Sequence, residues 1–75
     1  MSGRYIVVFK DGVTQDKIDK YATEVDASGG QVSRKFSSLL KGFSAEIPES
    51  YLTQLKSLEG GDIDYIEPDS IVTTQ

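Results

Sequence analysis

Gln31-Val32-Ser33-Arg34-Lys35-Phe36-Ser37-Ser38-Leu39-Leu40-Lys41-Gly42-Phe43-Ser44-Ala45-Glu46-Ile47 decides the fold of this chain. From Gly42 onward apolar and polar residues alternate, with Phe43, Ala45 and Ile47 on one parity, the pattern of a half-buried strand. Gln31 to Phe36 reads as a weaker strand, with Val32 and Phe36 on one parity, and Ser37 to Lys41 as the connection. Two strands joined so closely make an antiparallel hairpin.

Helical patterns flank this hairpin. Before it, Ile18, Tyr21, Ala22 and Val25 fall at i, i+3, i+4 and i+7, the spacing of an amphipathic helix. Thr14 is placed to cap it, Asp16 sets a negative charge in its first turn, and Gly29-Gly30 ends it. After the hairpin, Pro48 and Glu49 open a second helix. Its apolar stripe is Tyr51, Leu52, Leu55 and Leu58, and Gly60-Gly61 closes it. The outermost segments are strands again. Arg4-Tyr5-Ile6-Val7-Val8-Phe9-Lys10 is β-branched and aromatic and stops at Asp11-Gly12. Asp62-Ile63-Asp64-Tyr65-Ile66-Glu67 is broken near Pro68, which cannot donate to a ladder.

The order β-α-β-β-α-β predicts an α+β, ferredoxin-like sandwich: a four-stranded antiparallel sheet with both helices on one face. Right-handed crossovers place the first and third strands centrally. At 75 residues the chain is one domain, 1–75, with residues 70–75 read as an extended C-terminal tail.

Composition narrows the function. With no cysteine there is no disulfide or thiolate chemistry, and with no histidine the commonest general base and metal ligand are missing. No enzyme, cofactor or metal is expected. A net charge of −4 and a pI near 4.5 argue against nucleic acid and anionic membrane surfaces as partners. Tyr5 to Phe9 is too short for a leader or a membrane span, so a cytoplasmic protein, monomeric when free, is expected.

Specific residues now become familiar. Tyr5-Ile6-Val7-Val8-Phe9-Lys10, Gly29-Gly30, Lys41-Gly42-Phe43-Ser44-Ala45 and Tyr65-Ile66-Glu67-Pro68-Asp69 resemble, in this order and spacing, the propeptides of subtilisin-type serine proteases and their inhibitor relatives. The resemblance runs from about Arg4 to Gln75. It looks strongest to the small fungal cytosolic inhibitors of the proteinase A and proteinase B type, above all in Ile71-Val72-Thr73-Thr74-Gln75.

That resemblance implies a subtilisin-family protease as partner. The helix-free face of the sheet would dock on two surface helices of the protease, and the tail would enter its cleft as an extended strand. Val72, Thr73, Thr74 and Gln75 would fill the fourth to first positions before the scissile bond, and the chain would bind like a cleaved product. Glu67 and Asp69 would meet the N-termini of the two protease helices, where exposed N–H groups favour a carboxylate. Being two residues apart on an extended chain, both point the same way. Pro68 departs from the charged or polar residue frequent there in relatives and stiffens the segment. Without the resemblance, 71–75 is a polar terminus and the two acids are solvated charges.

Other residues carry plainer expectations. Phe43 belongs to the core, Tyr65 shares the parity of Glu67 on the docking face, and Leu39 and Leu40 anchor their loop. The two well-patterned helices and the turn glycines favour independent folding, which a free inhibitor needs because it loses affinity by the fraction unfolded. Two further readings stand beside inhibition. The same contacts would assist the folding of a subtilisin-family protease, or the chain is a ferredoxin-like ligand-binding or regulatory module unrelated to proteases.

Overall fold

A computed structural model of the chain describes residues 2–69. The elements follow in the expected order: β1 (Ser2–Phe9), α1 (Gln15–Ala27), β2 (Gln31–Phe36), β3 (Lys41–Pro48), α2 (Glu49–Lys56) and β4 (Ile63–Pro68). The strands form one antiparallel sheet in the order β2-β3-β1-β4. The most apolar strand, β1, and the alternating β3 are therefore central and pair along their whole length, from Ser2 opposite Pro48 to Phe9 opposite Lys41.

The core lies between the sheet and the helix layer. Val7 and Phe9 of β1, Phe43, Ala45 and Ile47 of β3, and Ile63 of β4 meet Ile18, Ala22 and Val25 of α1 and Leu52 and Leu55 of α2 in one buried cluster. The Phe9 ring stands 5.7 Å from Phe43 and 5.4 Å from Tyr21 between centroids, within the favourable aromatic range. Thr14 caps α1 as expected, its Oγ1 accepting from the Lys17 N–H at 3.3 Å. At Gly29 the chain takes φ 101°, a conformation glycine adopts without penalty, and reverses into β2.

Phenol bonds to acids join α2 to α1 and α1 to the segment before β4. The Tyr51 hydroxyl, on α2, donates to Glu24 Oε1 of α1 at 2.6 Å. The Tyr21 hydroxyl donates at 3.1 Å to Asp62 Oδ2, just before β4, which also pairs with Lys17 Nζ at 3.2 Å. Partial burial, then the adjoining carboxylate, holds both phenols above the ordinary tyrosine range.

Two expectations are corrected here. First, α2 ends at Lys56, so Leu58 packs against the core from a tightened turn, its N–H on the Leu55 carbonyl at 3.0 Å. Second, Val32 and Phe36 do not share a face. The β2–β3 register shifts between Val32 and Arg34, so Val32 lies opposite Ala45 and Phe36 opposite Gly42. The bulge at Ser33 reverses the parity of the rest of the strand. Val32 packs on the core, and Phe36 goes to the other side of the sheet.

Candidate functional site: the helix-free face of the sheet

Residues directly opposite one another in a sheet share a face. Since Val7, Phe9, Phe43, Ala45 and Ile47 face the helices, Ile6, Val8, Gly42, Ser44 and Glu46 face away. A register shift between Val8 and Phe9, where β4 carries the extra residue Asp64, does for β4 what the Ser33 bulge does for β2. Ile63 stays in the core, and Tyr65 opposite Val8 emerges on the helix-free side.

The helix-free face is thus built in rows running across the strands. One row is Phe36, Gly42, Val8 and Tyr65, and the next is Arg34, Ser44, Ile6 and Glu67. A third brings Gln31, Glu46 and Arg4 together, and the Asp69 N–H reaches the Arg4 carbonyl at 2.9 Å. The first row is apolar and the third is polar and charged, so the face grades from one end to the other. Gly42 keeps the first row flat. A Cβ there would collide with the Val7 carbonyl and lie 3.1 Å from the Val8 Cα, prising β3 off β1.

Val8 is 3% exposed although no helix covers it, and Tyr65 is 37% exposed. The Arg34 guanidinium sits 5.8 Å over the Phe36 ring, and Arg4 Nη1 donates to Ser33 Oγ at 2.9 Å. The Ser44 hydroxyl donates to Asp69 Oδ2 at 2.8 Å. On the sheet edge, the outward N–H of Ile66 is taken by Glu59 Oε2 at 3.1 Å. Two residues on, Pro68 faces the same way, so its missing N–H costs the β1–β4 ladder nothing.

Of the residues singled out from sequence, Glu67 is exposed and lies opposite Ile6 on the helix-free face. Asp69 is half-buried on that side, with its carboxylate on Ser44. Tyr65 joins them, and Phe43 is fully buried in the core. Val72, Thr73, Thr74 and Gln75 lie outside the described residues, as does the whole segment 70–75. The reading of Leu39 and Leu40 as loop anchors is overturned, for they are 95% and 47% exposed. Lys41 fastens the loop instead, its Nζ donating to the carbonyls of Asp11 at 3.0 Å and Val13 at 3.1 Å.

Ile6, Val8, Phe36, Arg4, Arg34 and Ser44 were not singled out as site residues. One signal for the first two was present. The run Ile6-Val7-Val8-Phe9 is apolar on both parities, whereas a strand with one solvated face alternates. Among the described residues, no group of three or more acidic side chains gathers to hold a metal ion.

Comparison with known proteins identifies relatives along almost the whole chain. Residues 4–75 match the family described as Peptidase inhibitor I9. The chain is 44% identical over 75 residues to serine proteinase inhibitor IA-2 of Pleurotus ostreatus, covering 99% of each chain. It is 43% identical over 75 residues, again 99% of each, to serine proteinase inhibitor IA-1 of the same fungus. An uncharacterized protein of Schizosaccharomyces pombe is 33% identical over 70 residues, 93% of this chain and 88% of that one.

Proposed function

The chain belongs to the peptidase inhibitor I9 family, whose members inhibit peptidases rather than act as enzymes, and from that premise we propose that it blocks subtilisin-type serine proteases by a two-part contact. The helix-free face docks on the protease surface, and Val72, Thr73, Thr74 and Gln75 lie in the substrate cleft. The family match supports this reading over that of a ligand-binding module unrelated to proteases.

One observation carries this reading. The face without helices holds an apolar row of Phe36, Val8 and Tyr65, and the acids Glu67 and Asp69 lie on that same face, where the chain runs on toward its C-terminus. Aromatic residues and arginine beside a polar rim are the usual make-up of a protein interface. Glu67 and Asp69 supply carboxylates suited to the N-termini of partner helices, whose unpaired N–H groups and dipole favour negative charge. The tail adds an extended strand to the edge of the cleft, held by main-chain hydrogen bonds.

Titration of a subtilisin with the intact chain and with a chain lacking Thr73, Thr74 and Gln75 tests the mechanism. The intact chain should inhibit stoichiometrically. The shortened chain should bind about 100-fold more weakly or worse, because two linked contacts reinforce one another by factors of this size. Failure of both forms overturns the function, and equal inhibition by both overturns the role of the tail.

A further inference from the structure

We propose that Ser44 is a positioning residue for inhibition: its hydroxyl latches Asp69 across β1 and thereby sets the point from which the C-terminal tail leaves the sheet. The proposal rests on the reading of 72–75 as the segment that enters the cleft.

Ser44 is 5% exposed and is the one buried polar side chain among the described residues. A hydroxyl at that depth requires a partner. Its partner belongs to neither adjoining strand. It is the carboxylate of Asp69, just beyond the end of β4 and across β1 from Ser44, at 2.8 Å. The Asp69 N–H donates at the same time to the Arg4 carbonyl of β1 at 2.9 Å. One residue is therefore held by two strands, through its backbone and its side chain. Hydrogen bonds to an ionised acceptor are the stronger kind. Ser44 is itself braced, because its carbonyl accepts from the Ser33 hydroxyl at 3.4 Å, and Ser33 is held by Arg4.

The position of this clamp in the sequence gives it a consequence. Asp69 is the sixth residue from Gln75, so the tail reaches at most about 20 Å from it. How strongly a docked face presents a tethered segment to a second site depends on the length and stiffness of the tether. Fixing Asp69 leaves residues 70 and 71 between the anchored residue and the segment 72–75, and sets their origin on the docking face. A carboxylate accepts several hydrogen bonds, so the bond from Ser44 does not preclude a contact of Asp69 with the protease.

The test is a double-mutant cycle on inhibition, Ser44→Ala in the full chain and in the chain lacking Thr73, Thr74 and Gln75. In the full chain Ser44→Ala should weaken inhibition by about ten-fold, the scale of one lost hydrogen bond. In the shortened chain the loss should be clearly smaller, about three-fold or less, because only the contact of Asp69 with the protease is left for the latch to steady. Equal losses in both backgrounds, or no loss in the full chain, overturn the proposal. Amide hydrogen exchange on the free protein reads the latch without any protease. Ser44→Ala should speed exchange at the Asp69 N–H by about ten-fold and leave Val7 and Phe43 unchanged. An unaltered Asp69 rate overturns the latch. Absence of inhibition by the unmodified chain instead sinks the function proposed above, and the exchange measurement then decides the latch by itself.

Discussion

The two faces of this sheet are made by the same strands from interleaved residues, yet they obey different rules. On the helix side Val7, Phe43, Ala45, Ile47 and Ile63 are all 0% exposed and meet Ile18 and Val25, also at 0%, so every apolar group there is used by the fold. On the other side Ile6, Val8, Phe36 and Tyr65 form a second apolar set with no helix over it, ringed by Arg4, Arg34, Glu67 and Asp69. A two-layer fold needs only the first set, and the solvated face of such a sheet is ordinarily polar. The function proposed above gives the second set a partner. The set's aromatic content, with arginines around it, is that of a protein interface, where few residues carry most of the affinity.

The widest separation of the two faces comes from matched truncations. Phe43→Ala should cost about 3 to 5 kcal/mol of unfolding free energy in urea titration, through lost burial and a cavity. A chain of 75 residues has about 4 to 11 kcal/mol in all, so this variant should be largely unable to inhibit because it is largely unfolded. Tyr65→Ala should do the reverse. It removes a cross-strand neighbour of Val8, worth under about 1 kcal/mol of stability, yet it should weaken inhibition by about 10- to 100-fold. If Tyr65→Ala unfolds as readily as Phe43→Ala, the helix-free face belongs to the fold and the distinction collapses.

Most of the helix side was legible in the sequence, and much of the other side was not, for a physical reason. Element order and the Thr14 cap follow from periodicity and end signals that are local, and the central strands follow from that order by the handedness of the crossovers. The facing of edge-strand residues is not local. On β2 the bulge at Ser33, and on β4 the extra residue Asp64, each reverse parity within one strand. Each turns an aromatic residue, Phe36 or Tyr65, onto the helix-free face. Simple alternation therefore put Phe36 beside Val32, whereas Tyr65 and Glu67, both beyond the Asp64 bulge, keep a common side. The Ser44–Asp69 bond was equally out of reach, since it joins residues 25 apart in sequence across an intervening strand. Leu39 and Leu40 misled for the opposite reason: apolar type suggested burial, but Lys41 does the fastening.

A smaller effect should mark the helix side as remote from binding. Tyr51→Phe removes the bond to Glu24 and should cost about 1 kcal/mol of stability, with inhibition at neutral pH unchanged. The pH dependence has a definite sign. Burial first, then the neighbouring carboxylates, raises the folded-state pKa of both Tyr51 and Tyr21, so the folded chain keeps protons that the unfolded chain releases above pH about 10. Their contribution is complete below that pH and is lost as pH rises through the folded values. Urea midpoints between pH 8 and 11 should fall at the alkaline end, and Tyr51→Phe should flatten that fall. A loss of inhibition at neutral pH in this variant would mean that the helix layer reports to the docking face.

Leu39→Ser should have the smallest effect and places the boundary of the comparison, because Leu39 lies in the hairpin loop, on neither face. At 95% exposure it has almost no burial to lose, so unfolding free energy should change by less than about 0.5 kcal/mol. Inhibition should also change little if the docking surface ends with the row of Phe36, Val8 and Tyr65. The loop adjoins that row, however, since Leu39 and Leu40 line a shallow recess with Val8, Lys41 and Asp64. Weakened inhibition with an unchanged urea midpoint would therefore extend the docking surface past the end of the sheet and give an otherwise unused leucine a partner. Unchanged inhibition would confine the contact to the residues that the two edge bulges turn outward.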